Sequence, residues 1–241
     1  MQIDRLINGI PVSEYHPESS EPKGVIFMIH GHTCSKEPRF LGNFPNEINR
    51  AGYLLVAIDA YGHGLRKLEP YLTGTDLDKA MAMPEVILKT SEDLAYLYEQ
   101  EYCKIGGKLG FIGISMGGHV VFQMPKYLPN IEYLMPIIGA PDLKRHYYDS
   151  KAAVLGNHRL CELEDWWDVL SVSPLAYSKT MKVLIIEGEF DTIVDHRNAK
   201  TFFEKLERLG YESVNFCLFP VAHETTVEME KLVHDFITGR I

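Results

Sequence analysis

Five short apolar runs, Val25–Ile29, Tyr53–Ile58, Leu109–Ile114, Tyr133–Ile138 and Val183–Ile186, are nearly continuous rather than alternating. A strand with one wet face must alternate, whereas a strand covered on both faces can be apolar throughout, and such strands belong to parallel sheets layered between helices. A sixth run, Val214–Phe219, is less uniform and suits an edge. Helical patterns separate the runs at Asn46–Arg50, Pro84–Gln100, Met116–Leu128, Asp195–Leu209 and Glu224–Thr238. This alternation predicts βαβ units, and so an α/β fold with a mostly parallel, doubly wound sheet and helices on both faces. In Asp195–Leu209 the residues Ala199, Phe202, Phe203 and Leu206 recur at helical spacing, and Gly210 stands where a left-handed C′ residue belongs. Near the start, Asn8-Gly9 between extended stretches of Ile3–Tyr15 predicts a hairpin and hence an antiparallel edge.

The connections Ala60–Lys108 and Pro141–Met181 are too long for a plain crossover helix. In the second, Leu160, Leu163, Trp167 and Leu170 fall on one face of a helical pattern over Arg159–Leu170, with Glu164, Asp165 and Asp168 on the other. That pattern fits an amphipathic lid or a surface helix packed on the sheet. Without repeats, low-complexity tracts or a linker, residues 1–241 read as one domain with a small helical cap inserted at about 141–181.

The net charge of −9 argues against nucleic acid or anionic lipid as a partner. The longest apolar stretches fall short of the roughly 20 residues of a membrane span. The N-terminus shows no basic region leading into an apolar run, and the four cysteines form no close pair, so the expected compartment is the cytoplasm. A homo-oligomer is compatible with the sequence.

Directly after the run Leu109–Ile112 comes Gly113-Ile114-Ser115-Met116-Gly117-Gly118, and then a helix. Strand, Gly-x-Ser-x-Gly and helix in this order form a strained turn that exposes the serine hydroxyl, while side chains at Gly113 or Gly117 would strike neighbouring backbone. With 19 glycines in the chain, composition alone would give roughly 0.07 accidental matches. A serine hydroxyl is a weak nucleophile, so it needs a histidine base and a carboxylate to orient that base. With this strand–turn–helix unit the acid and base follow in the order Ser, Asp, His. Val183–Ile186 runs into Gly188-Glu189-Phe190-Asp191, which offers Asp191 on a loop at a strand end; Glu187, Glu189 and Asp195 compete, although Asp195 better suits a helix cap. Among His196, His223 and His234, His223 lies in a loop between the last strand and the last helix and fits the base.

The oxyanion of a tetrahedral intermediate needs two backbone N–H donors, expected from Met116 and from His32 in the loop His30-Gly31-His32-Thr33, where Gly31 would allow close approach. A metal bound by His30, His32 and His63 is the rival, weakened by the lack of a carboxylate or thiolate cluster; neither a metal nor a cofactor is expected.

His30-Gly31, Asp59-Ala60-Tyr61-Gly62-His63-Gly64, Gly113–Gly118, Gly188–Val194 and Ala222-His223-Glu224 together resemble the α/β-hydrolase superfamily over almost the whole chain. The loop His30–Glu37 is similar to that of short bacterial serine esterases related to prolyl-oligopeptidase catalytic domains and dienelactone hydrolases. The resemblance implies Ser115 as nucleophile, Asp191 as acid, His223 as base, and His32 and Met116 as oxyanion donors. The chain departs from the family's habit at Glu187, often His there, and at Ala222, often Gly. The expected activity is hydrolysis of small-molecule carboxylic esters of small to medium acyl groups through an acyl-enzyme, with Tyr147, Trp166 and Trp167 walling the acyl pocket. A thioesterase or small peptidase could use the same triad, and a ligand-binding protein on a hydrolase scaffold is the non-enzymatic alternative. Peptidase is the weaker of these, because its relatives carry a large extra domain.

Overall fold

The computed structural model describes residues 1–19, 21–69, 71–149 and 161–241. The strands are β1 (Gln2–Ile7), β2 (Ile10–Tyr15), β3 (Gly24–Ile29), β4 (Leu54–Ile58), β5 (Lys108–Ile114), β6 (Ile131–Ile137), β7 (Lys182–Gly188) and β8 (Val214–Phe219). They form one sheet in the order β1-β2-β4-β3-β5-β6-β7-β8, in which the β1–β2 and β2–β4 pairings are antiparallel and the rest parallel. Each apolar run of the sequence lies on a strand, and β8 is the edge. The opening hairpin turns at Asn8 and Gly9, both at positive φ (48° and 78°), as a type I′ turn requires.

Both faces of the sheet are covered. Val25, Phe27 and Ile29 join one buried cluster, and the intervening Ile26 and Met28 join the other. The alternation of side chains across the sheet therefore delivers every residue of the run to a core, which is why the sequence shows no polar phase. Helices α2 (Asp76–Leu97) and α3 (Met116–Gln123) and the apolar stripe of α6 (His196–Arg208) build the first cluster. Helices α1 (Phe44–Arg50) and α7 (Val227–Thr238) build the second.

Several boundaries differ from the sequence expectation. Helix α2 starts at Asp76 rather than Pro84, because Thr75 and Asp78 form a reciprocal capping box, and Pro84 lies inside the helix. Helix α3 stops at Gln123, and Met124–Lys126, with its Pro125, continues as a 3₁₀ turn. Helix α7 begins at Val227 under a Thr226 cap instead of at Glu224. Helix α4 (Leu143–Asp149) was not foreseen. Within the pattern Arg159–Leu170, residues 159 and 160 lie outside the described residues; a 3₁₀ turn at Cys161–Leu163 leads into α5 (Glu164–Leu170). Leu163, Trp167 and Leu170 are buried in the first cluster, while Glu164, Asp165 and Asp168 are exposed. Among the described residues, no helix is long and apolar enough to cross a membrane.

The sheet order sets the position of the site. The chain leaves β3 for β4 on one side, then returns to β5 on the other, which makes the crevice above the β3 and β5 carboxyl ends the topological switch point. Ile29 pairs with Gly113 in register, so the loops that begin at His30 and Ser115 emerge side by side. The β3–β5 pair is anchored by Phe27, fully buried, with its ring 5.4 Å from both Phe111 and Tyr102. Phe27→Ala should cost about 3–5 kcal/mol, measured by urea unfolding; a loss below about 1 kcal/mol would show that this ring stack is not central to the core.

Candidate active site

Ser115 sits between β5 and α3 with φ 55° and ψ −113°, a backbone state costly for a residue with a side chain. The turn is held by Ser115 N–H to the Ile137 carbonyl (2.9 Å) and His119 N–H to the Ser115 carbonyl (3.1 Å). Glycine is required on both sides of it: a Cβ at Gly113 would stand 2.0 Å from the Gly117 oxygen, and one at Gly117 would stand 2.2 Å from the Ile29 oxygen. Gly118 and Gly139 meet backbone to backbone as well.

The hydroxyl that this turn projects lies 2.8 Å from Nε2 of His223, whose Nδ1 lies 2.7 Å from Oδ2 of Asp191. The other carboxylate oxygen of Asp191 accepts the N–H groups of Ile193 (2.8 Å) and Val194 (3.0 Å), so the acid is fixed by its own loop. Burial alone would raise the Asp191 pKa, but the His223 ring and these two amides outweigh it and hold the carboxyl below its ordinary value. The competing groups go elsewhere. Asp195 caps α6 by accepting the Arg197 N–H, and His234 Nδ1 lies 3.0 Å from the Glu47 carbonyl oxygen.

The loop after β3 is organised by a buried histidine. The Ala60 N–H donates to Nε2 of His30 (3.1 Å), so the ring proton is on Nδ1, which donates to the Gly31 carbonyl (2.7 Å). That carbonyl belongs to the same peptide plane as the His32 N–H, so His30 fixes the plane's orientation. Both His30 nitrogens are thereby engaged, which leaves no lone pair on this ring for a metal. Asp59 ties the same loop to the next: its carboxylate accepts the N–H groups of Lys36 and Leu65, each at 2.8 Å. The expectation that Gly31 is demanded by crowding is corrected here. A Cβ there would make ordinary contacts, 3.6 Å to the Ile114 oxygen and 3.7 Å to Ser115 Cβ. Met116 opens α3, so its N–H belongs to the first turn, which has no intrahelical acceptor.

Beside this centre lies a cavity of about 160 Å³ walled in part by His32, His119, His146 and Tyr147. Of the aromatic residues expected to wall a pocket, Tyr147 does so. Trp167 is buried behind it, ring centroids 5.1 Å apart, and does not line this cavity, and Trp166 packs against the core. Neither His119 nor His146 was singled out from the sequence. His119 carried a signal, since a residue four positions after Ser115 shares its face of the helix; His146 carried none.

No protein-family model matches the chain. It is 24% identical over 220 residues to a probable dipeptidyl-aminopeptidase B of Arthroderma gypseum, a match covering 88% of this chain and 23% of that protein. The chain thus spans about a quarter of the length of the curated relatives it matches. Among solved structures, the protein TT1662 of Thermus thermophilus superposes with a TM-score of 0.77 at 20% identity, covering 99% of this chain and 97% of the other. The esterase Pf2001 of Pyrococcus furiosus gives a TM-score of 0.67 at 17% identity, covering 99% and 91%.

Behind the acid loop, Glu187 is fully buried; Oε1 accepts the Gly139 N–H (3.3 Å), and Oε2 has no partner. Burial pushes its pKa well up, the Gly139 amide opposes this, and the charges of Asp191 and Asp195 add to the rise. A group whose folded pKa lies above its unfolded value of about 4.3 stabilises fully below that value and loses the contribution as pH rises through the folded one. The Tm of Glu187→Gln should therefore gain on the parent as pH rises from about 5 to about 8. A constant Tm difference across that range would mean that Glu187 is ionised in the native state.

Proposed function

Starting from a chain that has the α/β-hydrolase fold, we propose that it is a serine hydrolase that cleaves carboxylic esters through an acyl-enzyme. The observation that carries this reading is the unbroken line Ser115 Oγ–His223 Nε2, His223 Nδ1–Asp191 Oδ2, at 2.8 and 2.7 Å. His223 takes the proton from Ser115 as Oγ attacks the ester carbonyl, then returns it to the leaving alcohol. Water, activated by the same ring, attacks the acyl-enzyme, and collapse of the second intermediate frees the acid and restores Ser115. Asp191 fixes the tautomer of His223 and stabilises the imidazolium. The amides of His32 and Met116 receive the oxyanion, the first oriented through His30. In this reading the cap insertion at about 141–181 contributes His146 and Tyr147 to the pocket wall.

A peptidase would use the same residues, and the name of the Arthroderma relative points that way; the Pyrococcus esterase points to esters. Comparing p-nitrophenyl esters with the matching p-nitroanilides measures the preference directly. Mass spectrometry after treatment with a fluorophosphonate should find the adduct on Ser115, and Ser115→Ala should abolish both labelling and turnover. Asp191→Asn should keep the fold and lower kcat by on the order of 10⁴-fold. An adduct on another residue, or a nearly silent Asp191→Asn, would overturn the assignment.

A further inference from the structure

We propose that the cavity beside Ser115 selects a short, neutral acyl group bearing a hydrogen-bond acceptor, an ether, hydroxyl or oxo oxygen, over a plain alkyl chain of the same length. The proposal rests on the serine-hydrolase reading and deepens it by naming the acyl class.

The size of the cavity limits the chain. About 160 Å³ holds on the order of five water-sized groups at roughly 30 Å³ each. The chemistry of the wall is the more selective feature. Small-molecule pockets are mostly apolar with a few placed polar groups, whereas three imidazoles, His32, His119 and His146, share this small space. The rings of His119 and His146 are 5.0 Å apart, and Gly31, next to His32, adjoins Ser115.

The tautomer of His119 is set by the backbone. The Ala140 N–H points at Nδ1 at 2.8 Å, nearer than the Ala140 carbonyl oxygen at 3.2 Å; a proton on Nδ1 would meet the amide proton head-on, so the neutral ring carries its proton on Nε2, on the edge away from that anchor. His119 thus offers the cavity a fixed N–H donor. The hydroxyl of Tyr147 is already spent on the Ala80 carbonyl (2.7 Å). Burial pushes His32 and His146 down to about 4 and His119 well below its ordinary value, with neighbouring histidines adding to each. At neutral pH the imidazoles of the wall are polar without positive charge, and Asp76 at its border is paired with Lys79 (3.4 Å). The cation nearest this border, Lys79, is already engaged by Asp76, so an anionic acyl group gains no free counter-charge from it. A plain alkyl chain would displace water from the imidazole N–H groups and give nothing back, and an unsatisfied buried donor lowers affinity by about tenfold or more.

The test compares p-nitrophenyl 3-methoxypropanoate with p-nitrophenyl pentanoate, chains of equal length that differ by an oxygen for a methylene. Each kcat/KM is divided by the ester's hydroxide-catalysed rate, and the concentration of active sites is fixed by phosphonate labelling of Ser115. The parent protein should prefer the methoxy ester by about tenfold. His119→Phe and His146→Leu should each bring the ratio towards one; the second leaves the Ala140 anchor in place, should the first fail to fold. A parent ratio near one or below, or a preference unchanged in His146→Leu, overturns the proposal. If Ser115 does not label and neither ester turns over, the serine-hydrolase reading itself falls, an outcome distinct from labelling with a ratio of one.

Discussion

Backbone meets backbone without intervening side chains where β5 turns into α3, and the rest of the site depends on that contact. Gly113 lies against Gly117, Gly117 against the end of β3, and Gly118 against Gly139 beyond β6. Three strand ends are thereby drawn together around one residue. Ser115 pays for it with a φ of 55°, a strain of roughly 1–3 kcal/mol that persists because the surrounding sheet and helix over-determine it. Nothing in the turn can relax alone: the Ser115 N–H is held by β6, and the Ser115 carbonyl is held by α3. The same rigidity aims the hydroxyl at a ring contributed by a loop 108 positions further along the chain.

That distant ring arrives correctly because the sheet is built in register. β7 and β8 pair from Val183–Val214 to Gly188–Phe219, so the acid loop and the loop bearing His223 leave the sheet together. They are stitched by Glu189 N–H to the Phe219 carbonyl and Phe190 N–H to the Val221 carbonyl. Gly188 is needed there for the same reason as at the turn: a Cβ would stand 2.5 Å from the Ala222 oxygen. Glu187 fills the space below, fully buried, its pKa pushed up by burial and by the charge of Asp191.

The sequence made the sheet legible because both-face burial removes the polar phase from each strand, and it made Ser115, Asp191 and His223 legible because each sits at a strand end with glycine or loop chemistry beside it. What it hid were effects of partners distant in sequence. Thr75 and Asp78 are an ordinary cap pair, but Pro84 is the louder signal and drew the start of α2 to itself. An amphipathic helix makes Trp167 a candidate pocket wall, yet amphipathicity says only that one face is buried; Trp167 packs into the core and borders a different cavity, shared with Leu143, Asn198 and Phe202. In sequence His30 is a possible ligand, since a lone imidazole does not disclose that a backbone amide 30 positions away fixes its tautomer.

Histidines crowd this centre, and the surroundings of each decide what it can do. A general base must hold a proton while the intermediate forms, so its imidazolium needs stabilisation. His223 has a carboxylate on its second nitrogen. His119 has only the Ala140 backbone there and no carboxylate, and Nδ1 of His32 is buried with no partner at all. Desolvation therefore keeps His32, His119 and His146 neutral, suited to hydrogen bonding and unsuited to accepting charge. In the proposed reading one side-chain type serves two roles a few ångströms apart: proton transfer where Asp191 supports the cation, and recognition where burial forbids it. An acidic replacement for Ala80 or Met83 in the cavity wall would blur that division, because it would give the recognition histidines the counter-charge that now distinguishes His223.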